Sequence, residues 1–314
     1  MDIRRSGILA RIIAGPVLAG ALCAGAAGPA AAKEVTVCFV TFSLQVPFFQ
    51  ASVKGGQEEA KAKGATLIVQ DPQADAQRQV TQMEDCIARQ VSAIVVDAVE
   101  SGAITGAIED AARQGIKTIA IDAPINHPDV VSNIGVSNFT ASREFGQYLA
   151  GYIMAKYNGA ARIGVMLAST EVQLARRDGL IAALKAVPKS SIVATGDGRN
   201  ILERASNEAE DMLTAHPDIN VIYATGDPQL QGALAAAASR PNMKIDFFGW
   251  DDIPAPFVKP LEEGRIVGFT TQLPAQQGQL GVRYAIDAVN GKPVPKTVDS
   301  PVEIVTKDNL SSYK

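Results

Sequence analysis

Short, wholly apolar segments alternate with amphipathic helical patterns, and this alternation constrains the fold more than any other feature of the chain. Residues 93–96 read Ala-Ile-Val-Val without polar alternation, which is typical of a strand covered by helices on both faces. Glycines such as Gly64 and Gly115 follow the helical patterns, and glycine readily adopts the left-handed conformation that ends a helix. The sequence therefore predicts βαβ units with parallel sheets.

The predicted elements keep this βα order through two successive halves. The predicted strands are 35–42, 66–70, 93–96, 118–121, 162–167, 192–195, 221–224, 244–249 and 267–271. The predicted helices are 47–63, 76–90, 102–114, 138–157, 172–186, 202–215 and 228–240. Because the rhythm restarts after Asn138 and the chain is too long for one ordinary core, we predict an α/β fold of two doubly wound parallel-sheet lobes.

The first 32 residues resemble a targeting segment. A positive region with Arg4 and Arg5 precedes an uncharged stretch, residues 12–32, that ends in three alanines before Lys33. This pattern predicts a cleavable N-terminal signal peptide and export to the periplasm. An uncleaved membrane anchor is the alternative, because the uncharged stretch is long enough to span a bilayer, but its two prolines count against a spanning helix.

Two cysteines remain once the segment containing Cys23 is set aside. Cys38 falls in a predicted strand and Cys86 in a predicted helix. An oxidising compartment allows them to form a disulfide. Free cysteines are, however, among the most buried residues in proteins, so we expect two unpaired buried thiols, with a disulfide as the alternative.

Motifs for catalysis, phosphate binding or metal binding are absent from the sequence. It contains no GxGxxG, P-loop, HExxH, GxSxG or Cys/His metal pattern. Both histidines, His127 and His216, precede a proline and are predicted to lie in turns. The formal net charge is −4 without a basic cluster, which excludes a nucleic-acid partner. We expect no enzyme activity, no cofactor and no metal ion.

The residues that follow the predicted strands are the candidate site, because ligands of doubly wound sheets bind beyond the carboxyl ends of the strands. Aromatic, acidic, amide and guanidinium groups occur there. Phe48 and Phe49 are consecutive, so both cannot face one core. The predicted ligand-binding residues are Phe42, Phe48, Phe49, Asp122, Arg176, Asn200, Asp227, Trp250, Asp251 and Gln272.

Several short segments together carry a family resemblance. They are Val40-Thr41-Phe42 with Pro47-Phe48-Phe49, Ile119-Ala120-Ile121-Asp122, residues 213–218 with Gly226-Asp227, Phe248-Gly249-Trp250-Asp251, and Thr271-Gln272-Leu273-Pro274. In this order they resemble the ribose-binding-protein-like periplasmic solute-binding proteins of ABC importers, over essentially all of the chain after the leader. The resemblance implies a type I periplasmic binding protein fold with a three-segment hinge that closes around the ligand. Its lobes would comprise residues 33–137 with 273–302, and 138–272 with 303–314.

The resemblance also implies roles for single residues. Phe48 and Phe49 match the aromatic pair that packs on the sugar ring, Asp122 matches a carboxylate that accepts sugar hydroxyls, and Arg176 matches the family arginine, with Arg177 as the alternative in register. Asp251 matches a second carboxylate, Gln272 matches the hinge-side amide, and Trp250 replaces the usual ring before Asp251. We expect Trp250 to face the ligand, with a place in the core as the alternative.

Four positions depart from the family pattern. Ala123 replaces an arginine, Gly226 replaces an asparagine and leaves Asp227 as the nearest polar group, Asn200 replaces a ring, and Val46 replaces an amide. These departures suggest a neutral polyhydroxylated ligand other than ribose.

The partners that the resemblance implies are a sugar or polyol and the ABC permease in the inner membrane, with the protein acting as a monomer. A sensor subunit that signals to a chemoreceptor or sensor kinase is the alternative function. A sugar-responsive repressor of this fold would need a basic helix-turn-helix where the leader lies.

Overall fold

The computed structural model describes residues 34–313, and the predicted signal peptide lies outside them. The strands are β1 Thr36–Val40, β2 Thr66–Gln70, β3 Ala93–Val96, β4 Lys117–Ile121, β5 Val130–Gly135, β6 Arg162–Leu167, β7 Ser191–Asp197, β8 Val221–Ala224, β9 Asp246–Asp251, β10 Ile266–Thr271, β11 Thr297–Asp299 and β12 Glu303–Val305. The helices are α1 Pro47–Lys63, α2 Ala76–Ala88, α3 Thr105–Arg113, α4 Asn138–Tyr157, α5 Glu171–Leu184, α6 Leu202–Ala215, α7 Asp227–Ala238, α8 Ala255–Glu262 and α9 Pro274–Val289, followed by the short 3-10 helix Leu310–Tyr313. Over this part of the chain, none of the helices combines the length and apolarity needed to cross a membrane.

The strands form two six-stranded sheets. The first has the order β11-β5-β4-β3-β1-β2 and the second the order β12-β10-β9-β8-β6-β7. Neighbouring strands are parallel except β12, which pairs with β10 in the antiparallel sense. We call each sheet with its helices the first lobe and the second lobe. The predicted fold class, two doubly wound α/β lobes, is confirmed.

The chain passes between the two sheets at three places. It crosses from β5 to α4, from β10 to α9, and from β11 to β12. Helix α4 packs on α5 of the second lobe, whereas α9 packs on α1 and β4 of the first lobe. These three crossings form the three-segment hinge of the predicted fold class.

Helices α1 and α9 pack closely enough that only glycine fits at their contact. A Cβ atom on Gly55 would collide with the carbonyl oxygen of Ala275, and one on Gly278 with the carbonyl oxygen of Ser52. Because two backbones meet there, neither collision can be relieved by rotating a side chain. This contact fixes the returning segment of the chain onto the first lobe.

Cys38 and Cys86 are joined by a disulfide bond, so the expectation of two free thiols was wrong. Strand β1 and helix α2 pack together in one apolar cluster, in which both cysteines are fully buried. Their Cα atoms lie 6.2 Å apart, within the range that a disulfide can bridge. The bond ties the first strand of the first lobe to its second helix.

Candidate functional site

A cavity lies between the carboxyl ends of the two sheets, and we call it the central cavity. The space among its lining residues, including the part open to solvent, measures about 530 Å³. Seven of the ten predicted site residues line it. The residues of the first lobe are Phe42, Val46, Phe48, Phe49, Asp97, Ala98, Val99, Ser101, Asp122 and Ala123, and those of the second lobe are Thr170, Glu171, Val172, Gln173, Arg176, Asn200 and Asp251.

Three phenylalanine rings form an apolar wall on the first lobe. The rings of Phe42 and Phe49 are stacked with centroids 4.9 Å apart, and Phe48 meets Phe49 edge to face at 5.1 Å. Pro47 at the first position of α1 helps to start the helix that carries two of these rings. Both predicted neighbours, Phe48 and Phe49, therefore line the central cavity. Flat rings provide faces on which the C–H groups of a sugar can pack.

The guanidinium of Arg176 is buried in the opposite wall, with 2% of the residue exposed. Its Nε donates to Asn138 Oδ1 at 2.9 Å, and its Nη1 donates to the Thr225 carbonyl at 2.7 Å and to Asp251 Oδ1 at 2.6 Å. The same group lies over the Trp250 ring, 4.6 Å from its centroid. These contacts hold the guanidinium in one orientation before a ligand arrives.

The neighbouring Arg177 points elsewhere. It forms an ion pair with Asp178 at 2.7 Å, and its side chain is 35% exposed. Of the two arginines that the sequence left open, Arg176 is the one that lines the central cavity.

Asp251 connects the guanidinium to the rest of the second-lobe wall. Besides Arg176, its Oδ1 accepts a hydrogen bond from Gln272 Nε2 at 2.9 Å, and its Oδ2 accepts one from the backbone N–H of Asp227 at 2.9 Å. The φ angle of Asp251 is 108°, a region that residues other than glycine rarely adopt, so its surroundings must hold it there. The Asp251 carboxylate therefore holds Arg176, Gln272 and the backbone of Asp227 in place, and we call this its role as organiser of the second-lobe wall.

An amide network completes this wall, and the sequence did not predict its central residue, Gln173. Gln173 Nε2 donates to Asn200 Oδ1 at 2.6 Å, while its Oε1 accepts from the Thr225 hydroxyl at 2.6 Å. Gln229 donates to the same oxygen of Asn200 at 3.1 Å. Gln173 lies three residues before Arg176 on α5, so helical spacing could have indicated that both face the ligand side.

An asparagine at position 226 would require two glutamine side chains to move. A Cβ atom on Gly226 would lie 2.8 Å from Gln173 Nε2 and 2.9 Å from Gln229 Oε1. The two glutamine side chains occupy the space into which an asparagine would extend. The departure at Gly226 is therefore coupled to the amide network rather than isolated.

Three predicted residues do not line the central cavity. Trp250 is fully buried in the core of the second lobe and donates to the Tyr223 hydroxyl at 2.6 Å, so the expectation that its ring faces the ligand was wrong. Gln272 lies behind Asp251. Asp227 lines a second cavity that also contacts Asn200, and within residues 34–313 neither of its carboxylate oxygens has a hydrogen-bond partner.

Two carboxylates of the first lobe are buried in the central cavity without full partners. Among the described residues, neither carboxylate oxygen of Asp97 has a hydrogen-bond partner. Oδ1 of Asp122 lacks one as well. Burial, and then the charge of Asp122, raises the pKa of Asp97 well above its usual value. Burial also raises the pKa of Asp122 to about 6, although Arg176 lowers it and Asp251 raises it further. Asp97 was not predicted from the sequence.

Asp122 is held at its strand end in an unusual backbone conformation. Its φ angle is 56°, and its N–H donates to the Ile134 carbonyl at 2.8 Å. A Cβ atom on Gly135 would lie 2.6 Å from the Asp122 carbonyl oxygen, so glycine is required there. Strain at a ligand-facing residue is typical of functional sites.

The buried Asp122 should make the stability of the ligand-free protein depend on pH. Its pKa rises from about 3.9 in the unfolded chain to about 6 in the folded protein. The folded state therefore binds the proton more tightly, and this stabilisation, complete below about pH 4, is lost as pH rises through about 6. Asp122→Asn cannot ionise, so we expect it to exceed the wild type in unfolding free energy at pH 7 by on the order of 3 kcal/mol.

Urea unfolding of both proteins between pH 4 and pH 7 measures this effect. The stability difference should shrink towards zero near pH 4. A difference that stays constant across the range would show that Asp122 is ionised in the folded protein throughout.

The two lobes touch at the rim of the central cavity. The Ser101 hydroxyl of the first lobe donates to Glu171 Oε2 of the second lobe at 2.9 Å. Val172 of α5 packs against the apolar cluster of the first lobe. The cavity is thus bounded by both lobes in this arrangement. Among residues 34–313, no group of three or more His, Cys, Asp or Glu side chains is arranged to hold a metal ion.

Comparison with known proteins shows what this chain is similar to. The ribose import binding protein of Salmonella typhimurium is 28% identical over 292 residues, which cover 93% of this chain and 97% of that protein. An ABC transporter solute-binding protein from Mycobacterium smegmatis, solved with bound glycerol, superposes with a TM-score of 0.83 at 26% identity, covering 89% of this chain and 96% of that chain. A periplasmic solute-binding protein from Actinobacillus succinogenes 130z, solved with bound D-allose, gives a TM-score of 0.81 at 25% identity, covering 89% and 100%.

A family model described as the periplasmic binding protein domain matches residues 37–293. The match reaches from β1 to α9 and includes every residue that lines the central cavity, but it ends before β11 and β12. The resemblance stated from the sequence is therefore confirmed, and the chain belongs to the periplasmic binding protein family.

Proposed function

We propose that this protein captures a sugar or polyol in the central cavity and delivers it to the permease of an ABC importer, without changing the ligand chemically. The observation that carries the proposal is the pairing of two unlike walls. Stacked phenylalanines line the first lobe, and a prearranged set of guanidinium, carboxylate and amide groups lines the second. Small-molecule sites of this kind combine apolar surface with a few fixed polar groups.

Each wall has a defined task in the proposed complex. Phe48 and Phe49 pack on the C–H faces of the ring, while Asp122 accepts hydrogen bonds from hydroxyl groups. The contacts of Arg176 described above use Nε and Nη1, so Nη2 is the group we propose to donate to the ligand. Charge-assisted hydrogen bonds of this type contribute roughly 1.5–3 kcal/mol each.

Ligand capture would occur by closure of the lobes about the hinge. We propose the lobe boundaries given above, 33–137 with 273–302 and 138–272 with 303–314, and sheet membership supports them because β11 joins the first sheet and β12 the second. The rim contact between Ser101 and Glu171 forms only when the lobes are together. We further propose that residues 1–32 are a signal peptide that directs the protein to the periplasm, as its family membership supports.

A thermal-shift screen of pentoses, hexoses, deoxysugars, polyols and cyclitols tests the proposed function. A ligand should raise the melting temperature, because binding to the folded state alone stabilises it. Asp122→Ala should lose this shift, with affinity reduced by about 100-fold or more, because one residue provides several charge-assisted bonds. Asp211→Ala, on an exposed turn of α6, is the control and should keep the shift.

Two outcomes would contradict the proposal. If neither a compound of the screen nor its amino-substituted counterpart raises the melting temperature, sugar or polyol capture is wrong. If Asp122→Ala binds as tightly as the wild type, the ligand lies outside the central cavity.

A further inference from the structure

Resting on the proposed function, we propose that the sugar or polyol bound by this protein carries a protonated amino group, which pairs with Asp97 and Asp122 in the first-lobe wall. Amino sugars and aminocyclitols are the ligand class that this chemistry selects. The departures from the family pattern suggest a neutral ligand, and the titration described below distinguishes the two classes.

Asp97 is the residue that most directly points to a cationic group. It follows strand β3, is 1% exposed and lines the central cavity. Its backbone is fixed, because its N–H donates to the Val40 carbonyl at 3.0 Å and its carbonyl accepts from Gln79 Nε2 at 2.7 Å. Yet both of its carboxylate oxygens lack a hydrogen-bond partner among residues 34–313. A buried carboxylate without a partner is costly, so such a group is either protonated or satisfied by water, a ligand or an ion.

Asp122 places a second carboxylate beside the first. Strands β3 and β4 are parallel neighbours, with Val96 opposite Ala120, so Asp97 and Asp122 follow adjacent strand ends in the first sheet. Oδ1 of Asp122 also lacks a partner in the described chain, and the charge of Asp122 raises the pKa of Asp97. Two close carboxylates repel each other when both are ionised, and a positive charge between them removes that cost.

No cation of the described residues forms an ion pair with Asp97 or Asp122, although the charge of Arg176 lowers the pKa of Asp122. Four carboxylates of the described chain line the central cavity against one guanidinium, and they are Asp97, Asp122, Glu171 and Asp251. That guanidinium, Arg176, is already paired with Asp251 at 2.6 Å on the opposite wall. The residue directly after Asp122 is Ala123, which adds no charge. A positive charge that pairs directly with Asp97 or Asp122 would therefore come from the ligand.

An ammonium group fits this surrounding better than further hydroxyl groups do. It offers three donors and a full positive charge that can pair with both carboxylates, whereas a neutral polyol offers hydroxyl donors alone. The rings of Phe42, Phe48 and Phe49 line the same cavity and can attract a cation through their faces. A bare metal ion fits less well, because Ca²⁺ takes six to eight oxygen ligands.

Calorimetric titration of matched pairs at pH 7 tests this inference. The pairs are D-glucosamine with D-glucose, D-galactosamine with D-galactose, 1-amino-1-deoxy-D-sorbitol with D-sorbitol, and scyllo-inosamine with scyllo-inositol. In the pair whose carbon skeleton fits the cavity, the amine should bind at least about tenfold more tightly than its hydroxyl parent. Asp97→Asn, which keeps the size and removes the charge, should reduce this preference to about threefold or less, and the exposed control Asp211→Asn should keep it.

The outcomes separate the inference from the function on which it rests. If hydroxyl parents bind and their amines bind no more tightly, the amine inference is wrong and sugar or polyol capture stands. If neither member of any pair binds and the wider screen finds no ligand, both fail. The comparison within wild-type pairs decides the matter even if Asp97→Asn does not fold.

Discussion

Replacing Asp251 with alanine should lower the free energy of unfolding by about 3–5 kcal/mol and abolish ligand binding. The Arg176 guanidinium would remain buried without its carboxylate partner, which lies 2.6 Å away in the wild type, and an uncompensated buried charge is strongly destabilising. Gln272 and the backbone N–H of Asp227 would lose their acceptor as well. Urea unfolding measures the first effect and calorimetric titration the second.

A double variant distinguishes the charge from the other contacts of Asp251. Arg176→Met combined with Asp251→Ala removes both charges, so it should be more stable than Asp251→Ala alone, although it should not bind ligand. If the double variant is no more stable than the single one, the cost comes from the lost packing and hydrogen bonds instead. A cost below about 1 kcal/mol for Asp251→Ala would contradict the role of organiser.

Breaking the disulfide should cost a comparable amount of stability. The bond between Cys38 and Cys86 closes a loop of 48 residues, and the chain-entropy relation gives about 4 kcal/mol for a loop of this length. We expect Cys38→Ala with Cys86→Ala to lower the free energy of urea unfolding by roughly this amount. The fold should persist, because both sheets and their helices remain.

The matched control is the single variant Cys86→Ala, which opens the same loop and leaves one thiol. It should lose nearly as much stability as the double variant. Alkylation of the oxidised, unfolded protein before mass spectrometry provides an independent check, and it should label neither Cys38 nor Cys86. Labelling of both without reductant would restore the original expectation of free thiols.

The order of strands and helices was predictable because it depends on local patterns. Apolar runs such as Ala93–Val96 indicate strands from the sequence alone. The glycine at position 64, which has a φ of 66°, indicates where a helix ends. Helix α9, by contrast, was not predicted. Pro274 begins it, and Gly278 and Gly281 lie within it, so its intrinsic helix propensity is low. It is helical because those glycines allow close contact with the first lobe.

The candidate site was predictable for residues that end or directly follow a strand. It was not predictable where side-chain packing decides which residues face the cavity. Asp122 and Asp251 follow or end strands and line the central cavity as expected. Trp250 immediately precedes Asp251 in β9, and neighbouring residues of a strand point to opposite faces, so its ring enters the core when Asp251 faces the cavity. Asp97 follows β3 as Asp122 follows β4, and the same rule would have found it.

The disulfide and the amide network could not be predicted, because each depends on distances between separate elements. The sequence around Cys38 and Cys86 does not show whether β1 and α2 bring the two sulfur atoms together. Gln173 lies in α5 and Asn200 in the loop between β7 and α6, 27 residues apart, and they meet only in the folded second lobe.

The central claim, that the ligand is held between the two lobes, is tested most directly by locking the lobes together. Ser101 and Glu171 face each other across the rim of the central cavity. With Ser101→Cys and Glu171→Cys, a short bifunctional thiol reagent can bridge the lobes after a radiolabelled ligand from the screen has bound. We expect the bridged protein to release the ligand at least about 100-fold more slowly than the unbridged variant, because the cavity cannot open. Equal release rates from the two would contradict binding between the lobes.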